Sequence, residues 1–126
     1  MIGAVDVETR GLDATKYVIG CLLTDRAPTR PEFYENKEEL WQRILQIGDA
    51  ENRRGKTFTL YAHNHQYDFY SYADLTNPNL VYFSHRPFIV SHRNKITTAG
   101  NNTKQREDIK FIDSYNIFAM PLKEVY

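Results

Sequence analysis

Two carboxylates near the start of the chain are the first residues that could do chemistry. Ile2, Val5 and Val7 predict a strand, and strand alternation places Asp6 and Glu8 on the same side of it. Neighbouring carboxylates repel each other unless a cation lies between them, and oxygen ligands suit a divalent metal. The alternative is a solvent-facing pair at a strand end. On the Asp-x-Glu pattern alone that alternative is favoured, because the pattern is common by chance.

A second stretch, residues 61–68 (YAHNHQYD), leaves a predicted buried strand and enters a helix. In open α/β sheets, ligand sites form at the carboxyl ends of strands. Asp68 follows Asn64 by four residues, so both can lie on one helix face and look towards Asp6 and Glu8. Three converging carboxylates would suit a pair of divalent metals about 4 Å apart, as in phosphoryl transfer. Taken alone, Asn64 and Asp68 would be capping and solvated surface residues.

The elements that must position these residues alternate between strands and helices. Asn36, with Glu39 three residues later, predicts a helix start, and an apolar stripe that includes Trp41 predicts a core-facing helix. We expect that helix to weaken at Gly48. The other predicted elements are strands at 16–24, 32–34, 57–62 and 110–115, a helix at 63–73, a hairpin at 80–84 and 88–92, a further strand at 95–98, and loops at 49–56 and 100–108.

This order predicts a single α/β domain with a mixed sheet and flanking helices over residues 1–126. Pro121 is expected to open a final helix. Cys21 is the only cysteine and is predicted to be a small core residue, which leaves no disulfide within one chain. There is no apolar run of membrane length and no signal peptide, so an intracellular, cytoplasmic protein without a membrane partner is expected.

Charge is balanced overall but divided along the chain. Residues 1–40 hold eight acids against five bases, and residues 85–110 hold six bases against two acids. An acidic and a basic region together fit a metal-dependent enzyme that acts on phosphates, although a split of this size also arises by chance. The basic side chains of the second region could line a nucleic-acid groove or solvate a hairpin. These are Arg86, Arg93, Lys95, Lys104 and Arg106.

Three segments together resemble a known family. Asp6-Val7-Glu8-Thr9, the Ala-His-Asn-x-x-x-Asp block at residues 62–68, and residues 111–125 (FIDSYNIFAMPLKEV) are similar to motifs of the 3′-to-5′ exonuclease domain of protein-primed family B DNA polymerases. Those polymerases are found in phages, archaeal viruses and linear plasmids. The resemblance covers nearly the whole chain in order and spacing. It implies an RNase H-like fold, a β-hairpin insert, and Mg²⁺ or Mn²⁺ as cofactor.

The same resemblance implies a role for each matching residue. Asp6, Glu8 and Asp68 would be catalytic metal ligands. Single-stranded nucleic acid, DNA in preference to RNA, would be bound by Thr9, Asn64, Tyr67, Ser114 and Tyr115. Tyr115 departs from the usual Leu of the family. Asp113 is a candidate additional ligand, although capping of the following turn is the favoured role.

The family's fourth carboxylate lies in a later Tyr-x-x-x-Asp motif that this sequence does not contain, and the polymerase part is also missing. We therefore expect a truncated exonuclease-like domain whose activity is weak or depends on a partner, either a polymerase or a second copy. The alternative is a catalytically inactive protein that binds single strands or assists assembly. Zinc is a weaker candidate, since the hairpin histidines His85 and His92 have no third ligand nearby in sequence.

Overall fold

The computed structural model describes residues 1–10, 16–63, 65–85, 87–97, 100 and 103–113. Within them the chain is a mixed α/β structure of seven strands and two helices. The strands are β1 (Ile2–Arg10), β2 (Lys16–Thr24), β3 (Glu32–Tyr34), β4 (Phe58–Ala62), β5 (Leu80–His85), β6 (Phe88–Thr97) and β7 (Thr103–Asp113). The helices are α1 (Lys37–Arg53) and α2 (His65–Tyr72). No described helix is long and apolar enough to cross a membrane.

The described strands form one sheet in the order β3-β2-β1-β4-β7-β6-β5. The three central strands β1, β4 and β7 run parallel, and every other neighbouring pair is antiparallel. Strand β4 is the fourth of the seven described strands and lies at the middle of the sheet. Its side chains are buried on alternate residues, because successive residues of a strand point to opposite faces of the sheet.

Both helices pack on one face of the sheet, which we call the inner face. The ring of Phe111 on β7 stacks on Trp41 of α1 at 5.9 Å between centroids and meets Phe69 of α2 edge-on at 4.9 Å. Register places Leu60 beside Phe111, and both are fully buried. The predicted apolar stripe of α1 forms the other half of this core. The opposite side of the sheet is called the outer face.

Helix α1 begins as expected and ends later than expected. The Asn36 side chain accepts hydrogen bonds from the backbone amides of Glu38 and Glu39, at 2.9 and 3.2 Å. The prediction that the helix weakens at Gly48 and gives way to a loop was wrong, because α1 continues to Arg53. Gly48 is buried against Ile109, where a Cβ atom would lie 2.3 Å from Cγ1. The glycine therefore allows the helix to approach the sheet and does not end it.

The predicted polar loop at residues 100–108 was also wrong in its second half. Strand β7 begins at Thr103, and its polar first half pairs with the far end of β6, from Thr97↔Thr103 to Arg93↔Glu107. The separate strand expected at 95–98 is the continuation of β6 as far as Thr97. This ribbon is mostly exposed, so its side chains need no apolar alternation. The expected helix after Pro121 lies outside the described residues.

Candidate metal and nucleic-acid site

The region beyond the end of the central strand β4, which we call the crevice, is bordered by β1, because β1 continues past the last residue that it pairs with β4. β4 stops at Ala62, whose register partner on β7 is Asp113, the last residue of that strand. β1 pairs with β4 only as far as Ala4 and then continues to Arg10. Beyond Ala4, β1 therefore has no described partner on its β4 side, at the carboxyl ends of the three parallel strands. This is the position at which open α/β sheets form ligand sites.

Asp68, in the first turn of α2, is fixed at this crevice. Its Oδ2 atom accepts a hydrogen bond from the backbone N–H of Val7 at 3.3 Å, across 61 residues of sequence. Val7 lies in the part of β1 that extends past the last residue paired with β4. Asp68 was expected to look towards Asp6 and Glu8; the structure places it on the backbone of Val7, which lies between these two residues.

Acidic neighbours disfavour a charge on Asp68. Burial, the largest effect, and then the nearby carboxylate of Asp6 raise the pKa of Asp68 from 3.8 to about 7. The hydrogen bond from Val7 lowers that pKa, and Asp113 raises it further. The negative charges of Asp6 on β1 and Asp113 on β7 thus both disfavour ionisation of Asp68 on α2.

Asp6 and Glu8 are both exposed, and they alternate with the buried Val5 and Val7 along β1. The expectation that they share one side of the strand is confirmed, and that side is the outer face. A register shift between Glu8 and Thr9 marks an irregularity in the pairing with β2. Asp6 acts on the pKa of Asp68, whereas Glu8 lies two residues further along the same face.

Asp113 is a buried acid, with 7% of its surface exposed. Its negative charge raises the pKa of Asp68, and it also raises that of His65, although burial has the larger and opposite effect on His65. The favoured prediction for Asp113 was a cap on the following turn, and that turn lies outside the described residues. What the structure adds is the position of this carboxyl group, at the β7 end of the crevice and beside the first turn of α2.

His65 holds α2 against the sheet, a role that the sequence analysis missed. Its ring is completely buried, with Nδ1 3.0 Å from the carbonyl oxygen of Ile112 and Nε2 2.7 Å from the hydroxyl of Tyr72. Burial lowers the pKa of His65 to about 4, so the ring is neutral near pH 7. Nδ1–H then donates to the carbonyl, and Nε2 accepts from Tyr72. The available signal was the spacing of seven residues between His65 and Tyr72, which is two helical turns.

The predicted nucleic-acid contacts are described only in part. Tyr67 projects from α2 with 65% of its surface exposed, so it is not a core residue of the helix face. Thr9 is half-buried near the end of β1. Asn64, Ser114 and Tyr115 lie outside the described residues.

The basic residues of the ribbon differ in their surroundings. Arg93, Lys95 and Lys104 are exposed. Arg106 is tied to the loop between α1 and β4, donating to the carbonyl oxygens of Lys56 and Gly55 at 2.6 and 2.7 Å. Arg106 therefore has a structural role. Among the described members of this set, Arg93, Lys95 and Lys104 are the ones exposed for contact with a phosphate. Arg86 lies outside the described residues.

The donor atoms at the crevice are carboxylate oxygens, the ligands that Mg²⁺ and Mn²⁺ prefer. Even so, among the described residues no three His, Cys, Asp or Glu side chains are grouped closely enough to hold a metal ion. The chemistry of the donors fits a hard divalent cation, and binding one would require the acids to move together. The weaker zinc prediction gains no support at His92, whose Nδ1 is 2.7 Å from the buried Asp108.

Comparisons with models of protein families, with known proteins and with solved structures give no match to this chain.

Proposed function

We propose that this chain is a nucleic-acid-processing domain of the metal-dependent 3′-to-5′ exonuclease type, with an RNase H-like fold. The observation that carries the proposal is the position of Asp68, which is held on the amide of Val7 and repelled by Asp6 and Asp113. Repulsion among acids at the carboxyl end of a parallel sheet is costly in an empty site and is removed by a divalent cation. A structural role alone would not require these charges to be placed together.

In this proposal Asp6 and Asp68 hold the metal, and Glu8 joins them from the same strand. When bound, Mg²⁺ or Mn²⁺ would supply an activated water and stabilise charge on the phosphate. The amide of Val7 orients Asp68, and the pair of hydrogen bonds made by His65 fixes the helix that carries it. Tyr67, exposed on the same helix, is available to stack on a base.

We infer that activity is weak or depends on a partner, because the described acids would have to move together to hold a metal ion. Asp113 is the buried acid best placed to join Asp6 and Asp68. The loss of one well-positioned group from such a site commonly reduces the rate by a factor of about 10²–10³. DNA is the expected substrate in preference to RNA, and a polymerase or a second copy is the expected partner.

A second function is supported by a different observation. The described residues contain no preformed group of three metal ligands. This favours a protein that binds single-stranded nucleic acid, or assists assembly, without cleaving it. Exposed Tyr67 and the exposed basic side chains of the β6–β7 ribbon would serve such binding equally well.

A nuclease assay on 5′-labelled single-stranded DNA separates the two functions. With Mn²⁺ or Mg²⁺, the wild type is expected to shorten the strand from its 3′ end, and Asp6→Ala to lower the rate by at least about 100-fold. Glu38→Ala, which removes an exposed acid from α1, is the matched control and should act like the wild type. Calorimetric titration with Mn²⁺ accompanies the assay. A wild type that takes up no metal and leaves the strand intact would favour the binding function.

A further inference from the structure

A row of apolar side chains crosses the inner face of the sheet and ends at the β5 edge. Register pairs Leu60 of β4 with Phe111 of β7. It then pairs Phe111 with Val90 of β6, and Val90 with Phe83 of β5. Side chains of register partners point to the same face of a sheet. The first three residues are completely buried, whereas Phe83 has 45% of its surface exposed. The core therefore reaches β5 and is only half covered there by the described residues.

Strand β5 is an edge strand in the described part of the chain, since it pairs only with β6. Its six residues (LVYFSH) include no Lys, Arg, Asp, Glu or Pro. Val81 lies at an irregularity of the pairing and has 50% of its surface exposed, and the residues from Tyr82 to His85 pair regularly. An exposed edge without charge or proline is a site for pairing, because its outward N–H and C=O groups can hydrogen-bond to another strand.

The opposite edge of the described sheet has the features that prevent such pairing. Strand β3 is only three residues long, Glu32–Tyr34, and follows directly after Pro31. Glu32 carries a charge and forms an ion pair with Arg43 of α1 at 2.9 Å. Short length, proline and charge are the means by which edge strands avoid the addition of another strand. The contrast indicates that a further strand would be added at β5 and not at β3.

We propose that β5 pairs with β5 of a second copy of this chain, antiparallel and around a two-fold axis at Phe83. A two-fold axis perpendicular to the sheet sets Phe83 directly opposite the partner's Phe83, with both rings on the inner face. The apolar row then continues through both copies without a polar break. Opposed aromatic side chains are favourable cross-strand pairs, and this contact brings no like charges together. A second copy thus supplies the apolar side chain that the end of the row requires.

This contact joins two domains but leaves their crevices separate. Strand β5 runs parallel to β7 and β4, since β6 is antiparallel to both of its neighbours. The two-fold axis reverses this direction in the partner, so the two crevices open at opposite ends of the continuous sheet. The second copy therefore adds no acid to Asp6 and Asp68. The inference rests on the β5 edge alone and does not depend on nuclease activity.

Sedimentation equilibrium of the full-length protein tests the contact. One pair of six-residue strands buries less than the about 800 Å² per partner of a stable interface, so we expect a reversible dimer whose fraction rises with concentration. Phe83→Lys should weaken dimerisation at least about tenfold, because it places two like charges opposite each other on the edge. Phe33→Lys is the matched control, since it makes the same change at an exposed phenylalanine of β3, and it should leave the dimer fraction unchanged.

Disulfide trapping tests the register and decides the matter even where Phe83→Lys does not fold. Opposed residues of antiparallel strands have Cα atoms about 4.5–5.5 Å apart, which is within the range that a disulfide spans. Cys21 is the only cysteine of the chain, so a Cys21→Ser background leaves the introduced thiol alone. In that background, Phe83→Cys is expected to form a covalent dimer with oxidised glutathione. Phe33→Cys at the same protein concentration should remain predominantly monomeric.

Three results would overturn the proposal. A wild type that is monomeric at every concentration would mean that β5 does not pair with a second copy. A dimer disrupted by Phe33→Lys and not by Phe83→Lys would place the contact at β3. A protein that dimerises but whose Phe83→Cys variant forms no covalent dimer would exclude the register centred on Phe83. None of these results alters the expected binding of Mn²⁺ by Asp6 and Asp68, which the calorimetric titration tests separately.

Discussion

Asp68 is an acid whose negative charge the folded protein disfavours. Its carboxyl group is half-buried, receives one backbone hydrogen bond and faces two other acids. The unfolded chain has none of this environment, so its Asp68 titrates near 3.8, whereas the folded protein titrates near 7. Between these values the folded state holds a proton that the unfolded state has released. The stability of the metal-free protein therefore falls as the pH rises from about 4 through 7.

Asp68→Asn tests this linkage. The amide oxygen of Asn can still accept the hydrogen bond from Val7, but no charge develops. At pH 8 we expect the variant to melt about 3–6 °C above the wild type, which corresponds to about 1 kcal/mol after allowance for solvent screening. At pH 4 the two proteins should melt together. Thermal unfolding followed over this pH range provides the measurement, and parallel profiles would contradict the placement of Asp68 among acids.

At pH 8, a divalent metal should reverse the order of the melting temperatures of the wild type and Asp68→Asn. Metal binds the ionised carboxylate, so millimolar Mn²⁺ is expected to raise the melting temperature of the wild type and to leave Asp68→Asn nearly unchanged. A control with Glu38→Gln, far from the crevice, should respond to Mn²⁺ as the wild type does. Equal gains in all three proteins would indicate that the metal binds elsewhere.

The contribution of His65 to the stability of the folded protein depends on pH in the opposite sense to that of Asp68. The folded state keeps its ring neutral down to about pH 4, whereas the unfolded chain protonates it near 6.5. The stability that His65 contributes is complete above about pH 6.5 and is lost as the pH falls towards 4.

Tyr72→Phe tests the hydrogen bond between Tyr72 and His65. The substitution leaves Nε2 of His65 buried without a hydrogen bond and should lower the free energy of unfolding by about 1–3 kcal/mol at pH 7. Urea unfolding measures that cost, with the exposed Tyr70→Phe as control; equal losses in both variants would contradict the assigned bond.

At the scale of helices and strands, the sequence correctly predicted those elements in which the spacing of apolar residues shows which face is buried. The strands at 16–24 and 32–34 were confirmed at both ends, and the cap at Asn36 was confirmed by its hydrogen bonds. The polar half of β7 was missed, because hydrogen bonding to β6 and not apolar burial makes it a strand. The end of α1 was missed because a glycine that breaks a helix and a glycine that permits close packing look the same in sequence.

Gly48→Ala tests whether Gly48 permits close packing of α1 against the sheet. Alanine favours an isolated helix over glycine by about 1 kcal/mol, so a gain in stability is expected if Gly48 only weakens the helix. We expect a loss of about 1–3 kcal/mol, because the new Cβ would overlap Ile109. Adding Ile109→Val should recover part of it by removing one of the two overlapping carbons. Chemical denaturation measures both, and Gln42→Ala on the exposed side of α1 should have little effect.

At the scale of the whole molecule, the sequence predicted which residues could form a site but not how they would meet. Strand alternation was sufficient to place Asp6 and Glu8 on one side of β1. The contact of Asp68 with Val7 depends on β4 ending before β1, and lengths of neighbouring strands cannot be read from local pattern. The burial of Asp113 depends on its register with Ala62, which is likewise a property of the assembled sheet.

The same assembly makes a prediction about binding that does not require catalysis. Phosphate contacts from exposed basic side chains and stacking on exposed aromatic rings are independent of a metal. We therefore expect weak, salt-sensitive binding to single-stranded DNA, measured by fluorescence anisotropy at low salt, even in Asp6→Ala protein. Tyr67→Ala should weaken it by about 1–3 kcal/mol if the ring stacks on a base.

Exposure separates this role of Tyr67 from a structural one. Because 65% of its surface faces solvent, Tyr67→Ala should leave the melting temperature nearly unchanged while affinity falls. Lys104→Ala, on the exposed ribbon, should weaken binding uniformly and reduce its salt dependence, as the loss of one phosphate contact does. Unchanged affinity in Tyr67→Ala would remove the stacking role. If the wild type fails to bind at low salt, the crevice is not a nucleic-acid site, and the acids around Asp68 must serve a different ligand.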